Sequence, residues 1–153
     1  MDSYDIVKFF HVLFAVIWVG AGLVLIFLVL RAGRSTNPAD IVKIARDAGW
    51  LGERFFVPSS LLALIFGIIT VLVGDWGFTD TWVLLGLIGF GLSFLLGAGF
   101  LGPQSGKIAA LSDEHGETHP LVVEKVKKVL AVARVDSLIL LAVVFDMIVK
   151  PGT

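Results

Sequence analysis

The chain has 153 residues, of which 57% are apolar and 16% are charged, and its mean hydropathy is +0.94. This composition excludes a disordered chain and argues against an ordinary soluble enzyme. The 12 basic and 13 acidic residues give a net charge of -1, so there is no cationic surplus for nucleic acid. The absence of cysteine excludes disulfides, iron–sulfur clusters and thiolate zinc sites. These limits leave a small, single-domain integral membrane protein.

Four apolar segments of the sequence are long enough to cross a bilayer as helices. They cover approximately residues 6–30, 54–74, 80–102 and 128–149. A helix of about 20 apolar residues is long enough to span the hydrocarbon of a bilayer. The last segment carries Arg134 and Asp136 inside its apolar run. The predicted fold is an all-α, four-helix bundle in the membrane, with one domain over residues 1–153.

The distribution of basic residues predicts the orientation of this bundle. The first and third loops, with the helix ends beside them, hold nine Lys and Arg residues, whereas the opposite side holds Lys8 and Lys150. Loops beside membrane spans are richer in basic residues on the cytoplasmic side. We therefore expect these loops in the cytoplasm and both termini outside it. The nine are Arg31, Arg34, Lys43, Arg46, Arg54, Lys107, Lys125, Lys127 and Lys128.

A short amphipathic helix is predicted in the first loop. Asn37, Pro38 and Asp40 form a typical helix start, with a capping side chain, a proline in the first turn and an early acid. Apolar residues follow at helical spacing, at Ile41, Ile44, Ala45 and Ala48. We expect this helix to lie along the cytoplasmic membrane surface before the second span.

Small residues recur on one face of the second span and of the third. Spacings of three and four residues keep them on one helix face, and such faces allow helices to pack closely in lipid. These faces predict tight packing, association with another copy or another membrane subunit, or room for a flat cofactor. The residues are Ser60, Ala63, Gly67, Thr70 and Gly74 in the second span and Gly89, Ser93 and Gly97 in the third.

His11 is the single histidine within a predicted span. It shares a helix face with Ala15, Trp18 and Gly22. An ionisable side chain in a span is a candidate functional group, and imidazole is a common ligand of haem iron. One interpretation is an inward-facing ligand above a groove of small side chains. The other is an interfacial side chain that reaches the lipid headgroups.

Two residues near the end of the fourth span are candidate partners of His11. In an up-down-up-down bundle, Asp146 and Met147 reach a depth similar to that of His11. Asp146 could accept the imidazole proton or hold its tautomer, and Met147 could be a second axial ligand. Asp146 also precedes Lys150 by four residues, the spacing at which helical side chains pair with each other.

Arg134 and Asp136 each require a partner of their own. They are two residues apart, so they project to nearly opposite sides of the helix. Arg134 is long enough to reach the cytoplasmic interface. For Asp136 we predict a structural ion pair with Arg54 or Arg31 at a cytoplasmic helix end, because an unpaired buried carboxylate is costly.

Two segments carry a family resemblance. The first span reads Lys8-Phe-Phe-His11-Val-Leu-Phe-Ala-Val-Ile-Trp18-Val-Gly20, and the chain closes with Asp146-Met-Ile-Val-Lys150-Pro151. The whole chain resembles an uncharacterised family of bacterial four-span membrane proteins, which implies a bacterial cytoplasmic (inner) membrane. More distantly, it is similar to the J-type protoporphyrinogen oxidase and the copper-resistance D-type membrane proteins. The J-type resemblance implies a role in haem binding for His11.

The sequence departs from these families in two ways, and both restrict the metal sites that the resemblance implies. Copper(I) sites need thiolates or several thioethers, whereas this chain has no cysteine and two methionines, Met1 and Met147. A haem held by two histidines is not available within one chain, because no second histidine lies in a predicted span.

The leading hypothesis is a haem b-binding or redox-associated membrane protein. His11 would be its ligand, with Met147, Trp18 and Gly22 at the same cofactor site. The alternative is a non-catalytic membrane subunit or scaffold without a cofactor, embedded in the lipid bilayer. Whether the protein is an enzyme stays open at this point.

Overall fold

The structure, a computed structural model, describes residues 2–34, 37 and 39–152, and each regular element within these ranges is a helix. Asp2 begins the first helix by accepting a hydrogen bond from the backbone N–H of Asp5 at 2.9 Å, which satisfies one of the unpaired donors at that end. The helices are α1 (Ser3–Ala32), α2 (Ala39–Leu51), α3 (Val57–Val73), α4 (Thr81–Leu96), α5 (Gly102–His115) and α6 (Pro120–Val149).

Two π-helical turns join shorter helices into longer ones. The turn Gly52–Phe56 connects α2 to α3, and the turn Gly97–Leu101 connects α4 to α5. Each turn is followed two residues later by a proline, Pro58 or Pro103. Proline lacks an N–H and clashes with the carbonyl four residues before it, and that carbonyl lies inside the π-helical turn. The wider turn therefore accommodates a proline within a continuous helix.

The helices pack as two antiparallel pairs, α1 with α3 and α4 with α6. The pairs are joined where α2 packs along α5 and α5 packs on α6, which we call the α2–α5 end of the molecule. A cluster of buried apolar side chains stabilises this end, formed by Val42, Ile108, Val122 and Val126. We call the opposite end, which holds both chain termini, the termini end.

Within the described residues, three helices are long and apolar enough to cross a membrane: Ser3–Ala32, Ala39–Val73 and Thr81–His115. Large apolar side chains face outward around the bundle, with Phe27 69% and Ile148 77% exposed. Such a surface is stable in lipid and not in water. The prediction of an all-helical integral membrane protein is thus confirmed. Helix α6 is 30 residues long, but Arg134, Asp136 and Asp146 interrupt its apolar run.

Two helices continue beyond the predicted spans. The short helix predicted before the second span is α2, which continues into α3 and packs along α5. The helix of the third predicted span, 80–102, continues past Gly102, because α5 extends it to His115. Asn37 caps α2, since its side chain accepts a hydrogen bond from the N–H of Ala39 at 3.1 Å. Pro38 lies outside the described residues.

Candidate functional site

The imidazole of His11 faces α3. Its Nδ1 donates a hydrogen bond to the backbone carbonyl oxygen of Ala63 at 2.8 Å. A Cβ atom built on Gly67 would lie 2.9 Å from both Nδ1 and Cε1 of the same ring. His11 therefore occupies space that only glycine leaves open, and it points toward a neighbouring helix.

The surrounding contacts fix the register of α1 against α3. The ring of Phe66 stacks with Phe10 at 5.1 Å and with Phe14 at 5.7 Å, measured between centroids. Nearer the termini end, a Cβ atom on Gly74 would lie 2.7 Å from the ring of Tyr4. The small-residue face of the second span thus packs against α1, and His11 lies in the middle of that interface.

Trp18 and Gly22 line a different part of the molecule. Both face a cavity of about 630 Å³ between the two helix pairs, toward the α2–α5 end. Trp18 also contacts α4, where its ring meets Phe90 edge to face at 5.4 Å. His11 is not among the residues that line this cavity. The sequence predicted that His11, Trp18 and Gly22 share one helix face. In the structure, His11 lies in the α1–α3 interface, whereas Trp18 and Gly22 line the cavity.

Met147 lies in the interface between α4 and α6. Its side chain packs over Gly86 and joins an apolar cluster with Val71, Trp82 and Val83. The predicted haem ligands His11 and Met147 therefore contact different helices, α3 and α4. The structure does not bring them into contact with each other among the residues it describes.

Asp146 is 8% exposed beside Gly86. Neither of its carboxylate oxygens, nor Nε1 of Trp82, has a hydrogen-bond partner in the described part of the chain. Lys150 ends α6, and its backbone N–H donates to the carbonyl oxygen of Asp146 at 2.8 Å. The Lys150 ammonium lies 4.2 Å and 4.7 Å from the ring centroids of Trp76 and Trp82, distances at which a cation–π attraction operates.

Asp136 and Arg54 are not brought together, in contrast to the predicted ion pair. The hydroxyl of Ser93 on α4 donates to Oδ1 of Asp136 at 2.5 Å. The Arg54 guanidinium instead lies 5.4 Å from the ring centroid of Trp50. Arg134 and Arg31 are exposed. A serine hydroxyl on the neighbouring helix supplies the contact for which we expected a cation.

The cavity and the Ser93 contact were not anticipated from the sequence. The sequence feature that points to both of them is the small-residue face of the third span. Gly89 and Ser93 from this face are buried against α6, whereas a Cβ on Gly97 would meet no atom within 4 Å. Gly97 lines the cavity instead. A face that is small along its whole length therefore packs closely at one end and leaves space at the other.

The candidate ligands lie in separate places rather than in one cluster. Among the described residues there is no group of three or more His, Cys, Asp or Glu side chains that could hold a metal ion. His115 and His119, at the turn between α5 and α6, lie with ring centroids 4.8 Å apart. The bundle therefore presents the imidazole of His11 at the α1–α3 interface and the carboxylate of Asp136 at the cavity.

The chain matches the family model DUF2269, described as a predicted integral membrane protein, over residues 5–151. No curated protein and no solved structure matches it. Because the match covers almost the full length, the chain belongs to this family of predicted integral membrane proteins.

Proposed function

We propose that this member of the DUF2269 family is a haem b-binding or redox-associated membrane protein in which His11 would be a ligand of the haem iron. The supporting observation is the hydrogen bond from Nδ1 of His11 to the carbonyl oxygen of Ala63. A carbonyl acceptor requires the proton on Nδ1, so Nε2 keeps the lone pair that a metal needs. Histidines that bind metals commonly donate their other ring N–H in this way, which orients the ring and raises its basicity.

Haem bound here would supply one-electron redox chemistry. The chain's own contribution is the orientation of the imidazole by the carbonyl of Ala63 and the glycine at position 67, which leaves room for the ring. His11 would hold the haem iron. Met147 packs over Gly86 on α4, and the Met147→Leu variant below tests whether it is a further ligand.

The second candidate function is a membrane subunit or scaffold without a cofactor. The same hydrogen bond that orients His11 also ties α1 to α3, and the ring does not line the cavity. In this alternative, the imidazole serves only to hold two helices together. Polar side-chain contacts of this kind stabilise helix pairs in membranes by about 0.6 kcal/mol on average.

Titration of the detergent-purified protein with haem b, followed by visible absorption, separates the two candidates. We expect the Soret band of the added haem to shift and sharpen with the wild-type protein and with His115→Ala, a histidine variant outside the bundle core, and to stay that of free haem with His11→Ala. An unchanged spectrum in Met147→Leu would remove Met147 as a ligand. A wild-type protein that takes up no haem would favour the scaffold.

We further propose that α6 is a fourth membrane span and that the protein resides in a bacterial inner membrane with both termini outside the cytoplasm. The support is the antiparallel packing of α6 on α4 and the nine basic residues at the α2–α5 end. Association with a second copy or with another subunit would use faces other than Gly67 and Gly89, because α1 and α6 already cover these two glycines.

A further inference from the structure

The cavity between the two helix pairs has the features of a ligand site that is independent of His11. Its volume is about 630 Å³, within the span of about 300–1,000 Å³ typical of small-molecule pockets. Helix α1, both π-helical turns, α5 and α6 contribute to its wall. The cavity is therefore a product of the whole fold and not a gap beside one helix.

The charged side chains that line the cavity are predominantly acidic. Within the described part of the chain they are Asp136, Glu53 and Arg46, two acids and one base. Arg46 forms an ion pair with Asp113 on α5, so its positive charge is already balanced. The remaining charge of the wall is negative, and it attracts a cation.

Asp136 supplies the specific polar contact inside an otherwise apolar wall. Its Oδ1 accepts the hydrogen bond from Ser93, and a carboxylate has a second oxygen with acceptor capacity of its own. Acidic side chains within the membrane commonly mark binding sites or ion pathways, because their burial is costly. Asp136 can thus accept a hydrogen bond from an ammonium group that enters the cavity.

The remaining wall favours a ligand with an apolar body. Aromatic rings line it at Trp18, Phe56 and Phe94, and the faces of such rings attract cations as well as apolar groups. The hydroxyl of Ser60 is already engaged, since it donates to the carbonyl oxygen of Val57 at 2.9 Å. Apolar surface surrounds the carboxylate of Asp136, whereas Glu53 is exposed, an arrangement that suits a molecule with one polar group.

We propose that this cavity binds an amphiphilic cation, an apolar molecule with a primary or secondary ammonium group that is held by Asp136. The negative wall selects the cation, and the aromatic and aliphatic side chains hold the apolar part. This site is separate from the one proposed at His11, so loss of either leaves the other to be measured.

Photolabelling in phosphatidylcholine nanodiscs tests this proposal. The probe is decylamine with a diazirine in its alkyl chain, and the matched neutral probe is the corresponding decanol. We expect the amine to label peptides of α1 and α6 that line the cavity, and the alcohol to label them much less. In Asp136→Asn, labelling by the amine should fall by about tenfold, the equivalent of about 1.4 kcal/mol.

A pair of glycine variants provides the steric control. A Cβ atom at Gly22 or at Gly20 meets no atom within 4 Å, but only Gly22 is among the cavity-lining residues. Gly22→Leu should therefore block labelling, and Gly20→Leu should leave it unchanged. If Asp136→Asn does not fold, these two glycine variants still test whether the amine binds in the cavity.

Three results would overturn the proposal. They are equal labelling by the amine and the alcohol, unchanged labelling in Asp136→Asn, and equal effects of Gly22→Leu and Gly20→Leu. Retention of the haem spectrum in Asp136→Asn would show that the two sites are separate.

Discussion

Gly67 is the residue on which the position of the His11 ring depends. A Cβ atom there would lie 2.9 Å from two ring atoms, so Gly67→Ala must displace the imidazole and weaken its hydrogen bond to Ala63. We expect a loss of about 1–3 kcal/mol in stability, the range for overpacking a closely packed interior. Thermal unfolding in detergent, followed by circular dichroism, measures it.

Gly20→Ala is the matched control for this substitution. Gly20 lies on α1, and a Cβ atom there meets no atom within 4 Å. The change should be neutral or stabilising, because alanine is the better helix former by about 0.8–1 kcal/mol. Equal melting temperatures for the two variants would contradict the packing of His11 against Gly67.

The contacts of His11 and Asp136 show which partners a sequence does not predict. The pattern around His11 left an inward-facing ligand and an interfacial side chain open, and the partner of its imidazole is a backbone carbonyl, a group that every residue carries. For Asp136 we expected a cation, because opposite charge is the strongest signal a sequence offers. The structure supplies Ser93 instead. A serine on a small-residue face can pack closely against another helix or donate a hydrogen bond to it. The residue type alone does not distinguish these two roles.

Among the elements, α2 and α5 are joined by two kinds of contact of unequal strength. Ile108 is 1% exposed in the cluster with Val42, Val122 and Val126, so Ile108→Ala should cost about 2–5 kcal/mol. Arg46 and Asp113 are paired at the surface with side chains 46% and 64% exposed, so Arg46→Ala should cost about 0.2–1 kcal/mol. Thermal unfolding of both variants in one detergent tests this order, and a larger loss for Arg46→Ala would reverse it.

The π-helical turns allow two helices to continue beyond the predicted spans. The third span was predicted to end at Gly102 because the apolar part of its segment ends there. Both turns share the pattern Gly-x-x-Phe-x-x-Pro, at Gly52 to Pro58 and Gly97 to Pro103. Helix length and apolar character were predictable from local sequence. The continuation through each proline depends on a wider turn and on the packing of α2 along α5.

For the whole molecule, the orientation in the membrane is the most direct prediction to test. A reporter that is active only in the cytoplasm should be inactive when fused after Lys150 and active when fused in the turn at Gly116. The physical reason is the excess of basic residues at the α2–α5 end. A reporter that is active in both fusions would mean that α6 does not cross the bilayer, and activity only after Lys150 would invert the orientation.

The all-helical class followed from composition, because lipid permits few alternatives to helices. Which helices pack against each other did not follow from composition. Small-residue faces predicted that α3 and α4 would each approach another helix closely, but not that α1 would cover one face and α6 the other. That choice depends on the shapes of facing side chains, such as His11 over Gly67 and Val143 over Gly89.

Each helix pair lies within one half of the chain, α1 with α3 and α4 with α6. During synthesis, the first pair can therefore assemble in the bilayer before the second has left the ribosome. The main contact between the two halves is that of α2 with α5, at the end of the molecule opposite the connection between Val73 and Thr81. Two polypeptides separated at this connection should therefore each keep the interface of their own pair, which would make co-expressed halves a practical route to labelling one half of the protein alone.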